Sequence, residues 1–201
     1  MKTIKYFAIA LVAALSLNTA VATEKNGKKT AKPVAYKVDV AKSTLKWHAK
    51  KVTGEHIGTV NIAEGALMVD GAKVTGGSFG IDMNSIVCTD LTDAAYNGKL
   101  IGHLKSDDFF SVAKHPKANF KITKVEGNNI TGDMTIKGIT NSITFPVTMK
   151  MEGKNVVANA KIVLDRTKWD VRYGSKKFFE SIGDKAIYDD FEMDLILAAA
   201  K

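Results

Sequence analysis

The sequence predicts a mainly β protein, built as an antiparallel sandwich or barrel with short helical insertions. Most of the chain alternates apolar and polar residues with a period of two, which is typical of strands that bury one face. Residues 143–151, ITFPVTMKM, show the longest alternation. Turn signals such as Asp70-Gly71 and Glu152-Gly153 separate the alternating segments. Short strands joined by tight turns therefore favour an antiparallel β architecture.

Each alternating segment presents one apolar face, and the parity of the alternation predicts which side chains point inwards. In chain order the segments are TLKWHAKK (44–51), SFGIDM (78–83), ANFKITKV (118–125), DMTIKG (133–138), ITFPVTMKM (143–151), AKIVLD (160–165) and DFEMDLIL (190–197). The candidate binding residues on these inward faces, which would form either a filled core or the wall of a cavity, are Trp47, Phe79, Ile81, Phe120, Ile136, Phe145, Met149, Ile162 and Leu164. A closed barrel of about eight strands either fills with such side chains or holds one apolar ligand. Composition alone favours the filled core.

Two segments break the alternation and are predicted to be helical insertions. In residues 90–105 two glycines weaken a helical pattern, so we expect a loop with helical turns. Ser106 is predicted to cap a short helix, with Asp107 and Asp108 at its positive end. The second insertion, residues 175–188, is expected to turn three apolar side chains towards the sheet: Phe178, Phe179 and Ile182.

The amino-terminal residues are typical of an export signal. Lys2 and Lys5 precede an apolar run of about a dozen residues, and Ala20 and Ala22 supply a small-x-small cleavage motif. The apolar run is shorter than the ~20 residues that a transmembrane helix needs. The predicted parts of the chain are a signal peptide (1–22), a disordered lysine-rich linker (23–34) and one exported domain (35–201).

The charge of the chain argues against a nucleic-acid partner. The formal net charge is +8, from 29 basic and 21 acidic residues. Six of the basic residues and one acidic residue precede Pro33, which leaves a net charge of only +3 for the rest of the chain. Nucleic-acid surfaces are usually rich in clustered arginine, whereas this chain has only Arg166 and Arg172. We expect at most transient contact between the lysine-rich tail and a membrane surface.

No sequence motif indicates catalysis, a metal or a cofactor. The four histidines form no HExxH motif or closely spaced pair, and no Cys/His cluster is visible along the chain. Neither Ser85 nor Ser106 lies in a G-x-S-x-G turn, and no glycine-rich loop joins a strand to a helix. Cys88, the single cysteine, follows the apolar residues Ile86 and Val87 and is predicted to be a buried thiol. We therefore expect no catalytic residue, no metal and no cofactor.

Arg166 is the exception to the apolar pattern. It shares parity with Ile162 and Leu164, so an unbroken strand would point it inwards. A buried guanidinium needs a carboxylate or a ligand as partner, because an unpaired charge is costly to desolvate. Arg166 is thus either a head-group contact at the end of an apolar pocket or a structural residue where the strand ends or pairs with an aspartate.

Three separated motifs carry a resemblance to a known family. HLKSDDFF with HPKANF (103–120), GDMTIKGIT (132–140) and LDRTKWDVRYG (164–174) occur in this order behind the signal. Together they resemble the YceI family of bacterial polyisoprenoid-binding proteins, over essentially the whole domain from Tyr36 to about Leu197.

This resemblance implies a lipocalin-like antiparallel β-barrel of about eight strands, located in the periplasm, whose cavity holds a long apolar lipid. The ligand would be a polyisoprenoid, an isoprenoid quinone or a fatty-acid-like chain, held for transport, storage or sequestration without catalysis. The resemblance also implies that Phe109 and Phe110 plug or wall the barrel, and that His103 anchors a loop by hydrogen bonding. It adds Arg166 to the predicted cavity residues.

Two other functions remain open from the sequence. The first is an enzyme that acts on a lipid or quinone at the barrel mouth, which would need a titratable group inside the cavity. The second is a stress-responsive or interaction protein with a filled barrel, which would need a solid core. The sequence leaves the oligomeric state open between monomer and homodimer.

Overall fold

The structure is a computed structural model that describes residues 32–201. The predicted signal peptide and most of the predicted linker lie outside the described residues. The first strand begins at Val34, the last residue of the predicted linker. The nine strands are β1 (Val34–Val38), β2 (Thr44–Lys51), β3 (Gly54–Asp70), β4 (Lys73–Cys88), β5 (Lys117–Glu126), β6 (Asn129–Ile136), β7 (Ile139–Glu152), β8 (Asn155–Asp165) and β9 (Ile187–Ala200).

These strands form one antiparallel sheet that closes into a barrel. The alternation and turn signals predicted a sandwich or a barrel, and the family resemblance implied the barrel. The strand order is β1-β3-β2-β9-β8-β7-β6-β5-β4, and pairing of β3 with β4 closes the sheet. β1 and β2 share one position between β3 and β9: Trp47 of β2 pairs with Gly58 in the first part of β3, and Tyr36 of β1 pairs with Leu67 further along. The nine strands thus occupy eight positions around the barrel, the number that was predicted.

The two ends of the barrel differ in their connections. At the lower end, tight turns join the strands, and Gly71, Gly127 and Gly153 adopt φ angles of 61°, 57° and 61° there. These left-handed conformations favour glycine because it has no Cβ. The long connections all lie at the other, upper end: β4 to β5, which contains the only α-helix within the described residues, and β8 to β9.

The α-helix α1 (Ala94–Lys105) corrects the prediction of a loop with helical turns. The Asp93 side chain accepts hydrogen bonds from the backbone N–H groups of Ala95 and Tyr96, each at 2.9 Å, so two of the free donors at the helix start are satisfied. Ser106 does not begin a further helix but ends α1, because its N–H bonds to the carbonyl of His103. The residues that follow Ser106 form turns.

The second insertion also differs from the prediction. Phe178 and Phe179 are 44% and 49% exposed rather than packed on the sheet, and Ile182 is half-buried. The guanidinium of Arg172 lies 4.7 Å from the ring centre of Phe178, which gives this ring a cationic neighbour at the surface. The segment contains a short 3₁₀ helix, Gly183–Lys185.

The interior divides into a filled lower half and a hollow upper half. Val69 and Val156, near the lower end, are 2% and 1% exposed and pack in a continuous apolar cluster. Neither side chain borders the cavity, whose lining residues lie mainly in the upper part of the barrel. None of the helices within residues 32–201 is long and apolar enough to cross a membrane.

Candidate functional site

The upper half of the barrel encloses an apolar cavity of about 350 Å³. This volume lies within the range of about 300–1,000 Å³ that is typical of small-molecule sites. Nine of the ten predicted residues line it: Trp47, Phe79, Ile81, Phe120, Ile136, Phe145, Ile162, Leu164 and Arg166. The barrel is consequently not solid, and the structure gives no support to the alternative of a filled barrel.

Met149 is the exception among the predicted wall residues. It lies on β7, on the same face as Phe145, but it is half-buried and does not line the cavity. Its partner on β8 is Ala158, which is buried and also lies outside the cavity lining. Alternation identified the inward face of β7 correctly, but it contains no information about how far along the barrel the hollow part extends.

Three phenylalanines form a continuous aromatic wall on one side of the cavity. The ring centres of Phe79 and Phe120 are 6.4 Å apart with nearly parallel planes, and those of Phe120 and Phe145 are 5.5 Å apart. Because the three rings come from β4, β5 and β7, they connect neighbouring parts of the sheet across the interior. Aromatic side chains offer a large apolar area with few rotatable bonds, so the wall is well defined before a ligand binds.

Glycines on adjacent strands make room for the large cavity rings. A Cβ atom on Gly58 would lie 2.5 Å from Cζ2 of Trp47, and one on Gly65 would lie 2.6 Å from Cδ1 of Phe79. Each glycine is the register partner of the aromatic residue that covers it. Any larger residue at these positions would push the ring from its place in the wall.

The helix and the loop that follows it cover the upper end of the cavity. Leu100 and Leu104 of α1, together with Phe109 and Phe110, contribute to the lining. The imidazole ring of His103 packs edge-on against Phe109 and Tyr173, with ring centres 5.4 and 4.3 Å away. The resemblance implied that Phe109 and Phe110 wall the barrel, which is where the structure places them. His103 contributes ring packing to this cover.

Some lining residues were not predicted as site residues. They come mainly from β9, β3, β4 and the cover: Leu45, Val60, Ile62, Met83, Ile86, Leu100, Leu104, Phe109, Phe110, Phe191, Met193, Leu195 and Leu197. The β9 residues share the parity that the segment DFEMDLIL shows, so a sequence signal for them existed. No sequence signal placed α1 over the cavity, because its packing depends on the closed barrel.

Arg166 lies where β8 ends and the 3₁₀ helix Arg166–Trp169 begins, and it is 3% exposed. All three guanidinium nitrogen atoms donate to backbone carbonyls: Nε to Tyr188 at 3.1 Å, Nη1 to Val171 at 2.7 Å and Nη2 to Ile187 at 3.1 Å. The side chain thus joins the end of β8 to both ends of the connection that leads into β9.

The charge of Arg166 also has a partner in the protein. Asp189 Oδ1 lies 3.4 Å from Nη2, and the guanidinium lies 5.6 Å from the ring centre of Phe109. Burial lowers the pKa of Arg166, and the carboxylates of Asp189 and Asp165 oppose that change. These contacts favour the structural interpretation of Arg166, one of the two that the sequence left open.

Trp47 offers an unpaired polar group within the otherwise apolar wall. Its side chain is 9% exposed, and the indole Nε1–H has no hydrogen-bond partner among the described residues. A buried donor without an acceptor costs about 1–3 kcal/mol. An oxygen atom of a ligand at this position would remove that cost.

A second group of polar side chains lies at the upper end of β3 and β4. His56 Nδ1 is 2.9 Å from Asp90 Oδ2, and the Cys88 thiol donates to Asp90 Oδ1 at 3.1 Å. Burial raises the pKa of Cys88, and its bond to Asp90 adds to the effect. Although burial acts in the opposite direction, hydrogen bonds from Ile57, His56 and Cys88 lower the pKa of Asp90 to about 2.

The sequence gave no indication of this cluster, because His56 lies more than thirty residues before the other two. The antiparallel register of β3 and β4, in which Gly58 pairs with Cys88, brings the three residues together. Their Nδ1, Sγ and carboxylate oxygen atoms lie within 4.8 Å of one another. His56 also lines the cavity, so the cluster lies at its upper margin.

The fold and the cavity define a class of protein: a closed antiparallel barrel that is filled at one end and hollow and apolar at the other. Residues 36–199 match the YceI-like domain model. The chain therefore belongs to the YceI-like family, as the three sequence motifs predicted.

Comparison with individual proteins agrees with this assignment. A UPF0312 protein of Shewanella denitrificans is 34% identical over 104 residues, which cover 49% of this chain and 52% of the relative. A UPF0312 protein of Staphylococcus aureus is 42% identical over 60 residues, 30% of this chain and 35% of the relative. The chain thus spans about half the length of the first curated relative and about a third of the second.

Solved structures show the same fold. BcnA of Burkholderia cenocepacia superposes with a TM-score of 0.63 at 26% identity, over 81% of this chain and 99% of that protein. A polyisoprenoid-binding domain from Saccharophagus degradans superposes with a TM-score of 0.57 at 14% identity, over 82% of this chain and 97% of that domain. The agreement in fold extends over nearly the whole length of both neighbours.

Proposed function

We propose that this protein is exported to the periplasm and binds one long apolar lipid in the barrel cavity, for transport, storage or sequestration. The ligand is a polyisoprenoid, an isoprenoid quinone or a fatty-acid-like chain. The observation that carries the proposal is the hollow, apolar upper half of the barrel beside a filled lower half. The polyisoprenoid-binding domain of Saccharophagus degradans, which has the same fold, supports this class of ligand.

The lining of the cavity extends far enough along β9 for an extended apolar chain. The cavity lining on β9 extends from Ile187 to Leu197. Those ten residue steps span ~33 Å along the strand. A strand tilt of about 40° reduces this to ~25 Å along the barrel axis. One acyl chain reaches across half of a bilayer core, or ~15 Å, so a chain of that length fits within the span of the lining residues.

Apolar contacts are sufficient to hold such a chain. Each buried methylene contributes about 0.8 kcal/mol, so ten buried carbons contribute ~8 kcal/mol before the cost of ordering the chain. A micromolar dissociation constant requires a net binding free energy of about 8 kcal/mol, so further buried carbons have to offset the ordering cost. Because these contacts have no preferred direction, we expect the wall to select for length and apolarity more than for exact chemical structure.

Trp47 supplies the polar contact that we assign to the ligand. Trp47 lines the cavity and its buried indole N–H is unpaired, whereas the guanidinium of Arg166 already donates to three carbonyls. An ester or quinone carbonyl would accept the indole hydrogen. We propose that Arg166 contributes the apolar part of its side chain to the wall and holds the segment above the cavity.

The alternative of an enzyme at the barrel mouth has less support. The titratable side chains in the lining come from the upper ends of the strands and from the cover: Lys50, Lys51, Glu55, His56, His103, Arg166 and Tyr188. Lys50, Lys51 and Glu55 are exposed. The aromatic wall below them offers no acid or base to a bound chain, so we propose binding without catalysis.

A pair of charged substitutions on β7 tests the proposed site. Phe145→Glu places a carboxylate in the cavity wall, and Met149→Glu places the same group on the same face but outside the cavity lining. After removal of endogenous lipid, each protein is mixed with a long-chain polyprenol, and complexes are counted by native mass spectrometry. We expect the wild type and Met149→Glu to bind the polyprenol and Phe145→Glu to lose this binding. Circular dichroism checks that both variants are folded. Equal binding by the two folded variants would contradict the proposed site.

A further inference from the structure

We propose that His56, Cys88 and Asp90 form a binding site for Zn²⁺ at the upper end of β3 and β4. The three residues offer one imidazole nitrogen, one sulfur and one carboxylate oxygen, the three ligand types that protein-bound zinc uses. Their ligand atoms lie within 4.8 Å of one another. This proposal is independent of lipid binding, since none of its steps requires a ligand in the barrel.

The ligand atoms need only small movements to surround a metal ion. Around tetrahedral zinc, bond lengths of about 2.0–2.3 Å separate the ligand atoms by ~3.3–3.6 Å. In the structure His56 Nδ1 and Asp90 Oδ2 are 2.9 Å apart, and Cys88 Sγ and Asp90 Oδ1 are 3.1 Å apart. An ion would replace these two hydrogen bonds with metal–ligand bonds. The thiol proton would leave to solvent, and the neutral imidazole would carry its hydrogen on Nε2.

The surrounding protein already fixes two of the three ligands. The backbone N–H of Ile57 donates to Asp90 Oδ1 at 2.9 Å and orients the carboxylate. The side-chain amide of Asn97, on α1, donates to the carbonyls of Cys88 and Leu91 at 3.1 and 2.8 Å. Such outer contacts hold metal ligands in position and contribute to affinity.

The ligand set and its exposure favour zinc over other common cations. Mg²⁺ and Ca²⁺ prefer oxygen ligands only, whereas a mixed nitrogen, sulfur and oxygen set suits Zn²⁺. The side chains of His56 and Asp90 are 28% and 31% exposed, so an ion from solvent can reach them. Cys88 is 7% exposed and lies below them. Three protein ligands leave a fourth position for water, as in zinc sites that remain open.

The test uses Co²⁺ as a coloured substitute for Zn²⁺ on protein without an affinity tag, after treatment with a chelator. Coordination by Cys88 predicts a thiolate-to-cobalt charge-transfer band that saturates at one metal per chain and disappears when Zn²⁺ is added. The variants are Cys88→Ser, His56→Gln and Asp90→Asn. The matched control is His48→Gln, because His48 Nε2 makes a similar 2.9 Å contact with Glu55 on the neighbouring strand but has no thiol nearby.

We expect Cys88→Ser to abolish the band, His56→Gln and Asp90→Asn to weaken binding at least about tenfold, and His48→Gln to bind like the wild type. Nuclear magnetic resonance of the wild-type protein measures zinc binding without any variant, so its result does not depend on whether the variants fold. Zn²⁺ should shift the ring signals of His56 and leave those of His48 unchanged. Absence of the charge-transfer band, or a shift at His48 instead of His56, would overturn the proposal.

Discussion

Replacement of Arg166 tests most sharply whether this buried charge is structural. Arg166→Leu would leave the carbonyls of Val171, Ile187 and Tyr188 without their donor. It would also remove the buried cation of Asp189, whose other cation is the exposed Lys177 at 3.5 Å. Breaking a buried charge pair in this way costs about 3–5 kcal/mol. In a domain of this size each kcal/mol lowers the melting temperature by about 2–4 °C. A loss of ~4 kcal/mol therefore corresponds to a decrease of about 8–16 °C.

The matched control is Arg172→Leu. Arg172 is the other arginine of the chain, and its side chain is 58% exposed and pairs with the exposed Asp170. A surface pair of this kind contributes about 0–1 kcal/mol, so we expect little change. Urea denaturation measures the free energy of unfolding of both variants, and calorimetry measures their melting temperatures. The double variant Arg166→Leu/Asp189→Asn should recover part of the loss, because it removes a carboxylate that would keep only the exposed Lys177 as its cation.

The reasoning would be refuted if Arg166→Leu kept wild-type stability and yet lost binding of lipids that carry a polar head group. That result would return Arg166 to the role of a head-group contact.

Three further predictions concern stability and reactivity. Cys88 is buried, so a thiol reagent should label it slowly in the native protein and rapidly after unfolding; rapid native labelling would contradict its position. Asp93→Ala should cost about 0.5–2 kcal/mol by removing the cap of α1, and an unchanged urea midpoint would show that the cap adds nothing. Gly58→Ala should destabilise the fold by about 1–3 kcal/mol, because the added Cβ meets a backbone oxygen and a ring. The control is Gly98→Ala, where the added Cβ meets no atom within 4 Å, so this variant should be as stable as the wild type or more stable. Equal losses of stability in the two variants, measured by calorimetry, would argue against the steric explanation.

The barrel could be predicted from the sequence because its signals are local. Period-two alternation identified the inward faces, so Phe145 and Ile162 were placed correctly in the cavity wall. Glycines at the lower turns marked where strands end. The family motifs then supplied the closure into a barrel, which alternation alone cannot distinguish from a sandwich.

Features that depend on tertiary contacts could not be predicted in the same way. Met149 has the right parity, but the boundary between the filled and hollow halves is set by packing across the barrel. The glycines of α1 suggested a loop, yet the Asp93 cap and packing of Leu100 and Leu104 over the cavity outweigh that local cost. His56 and Cys88 meet only through the register of β3 and β4.

The most direct test of the proposed function is native mass spectrometry of the wild-type protein purified from its own organism, followed by lipid extraction. The cavity predicts one apolar chain per protein that is released on unfolding and identified in the extract. Partial loading would still show discrete complexes of protein with one lipid. Protein that carries no lipid, and that binds no polyprenol, quinone or fatty acid after gentle purification, would contradict the account.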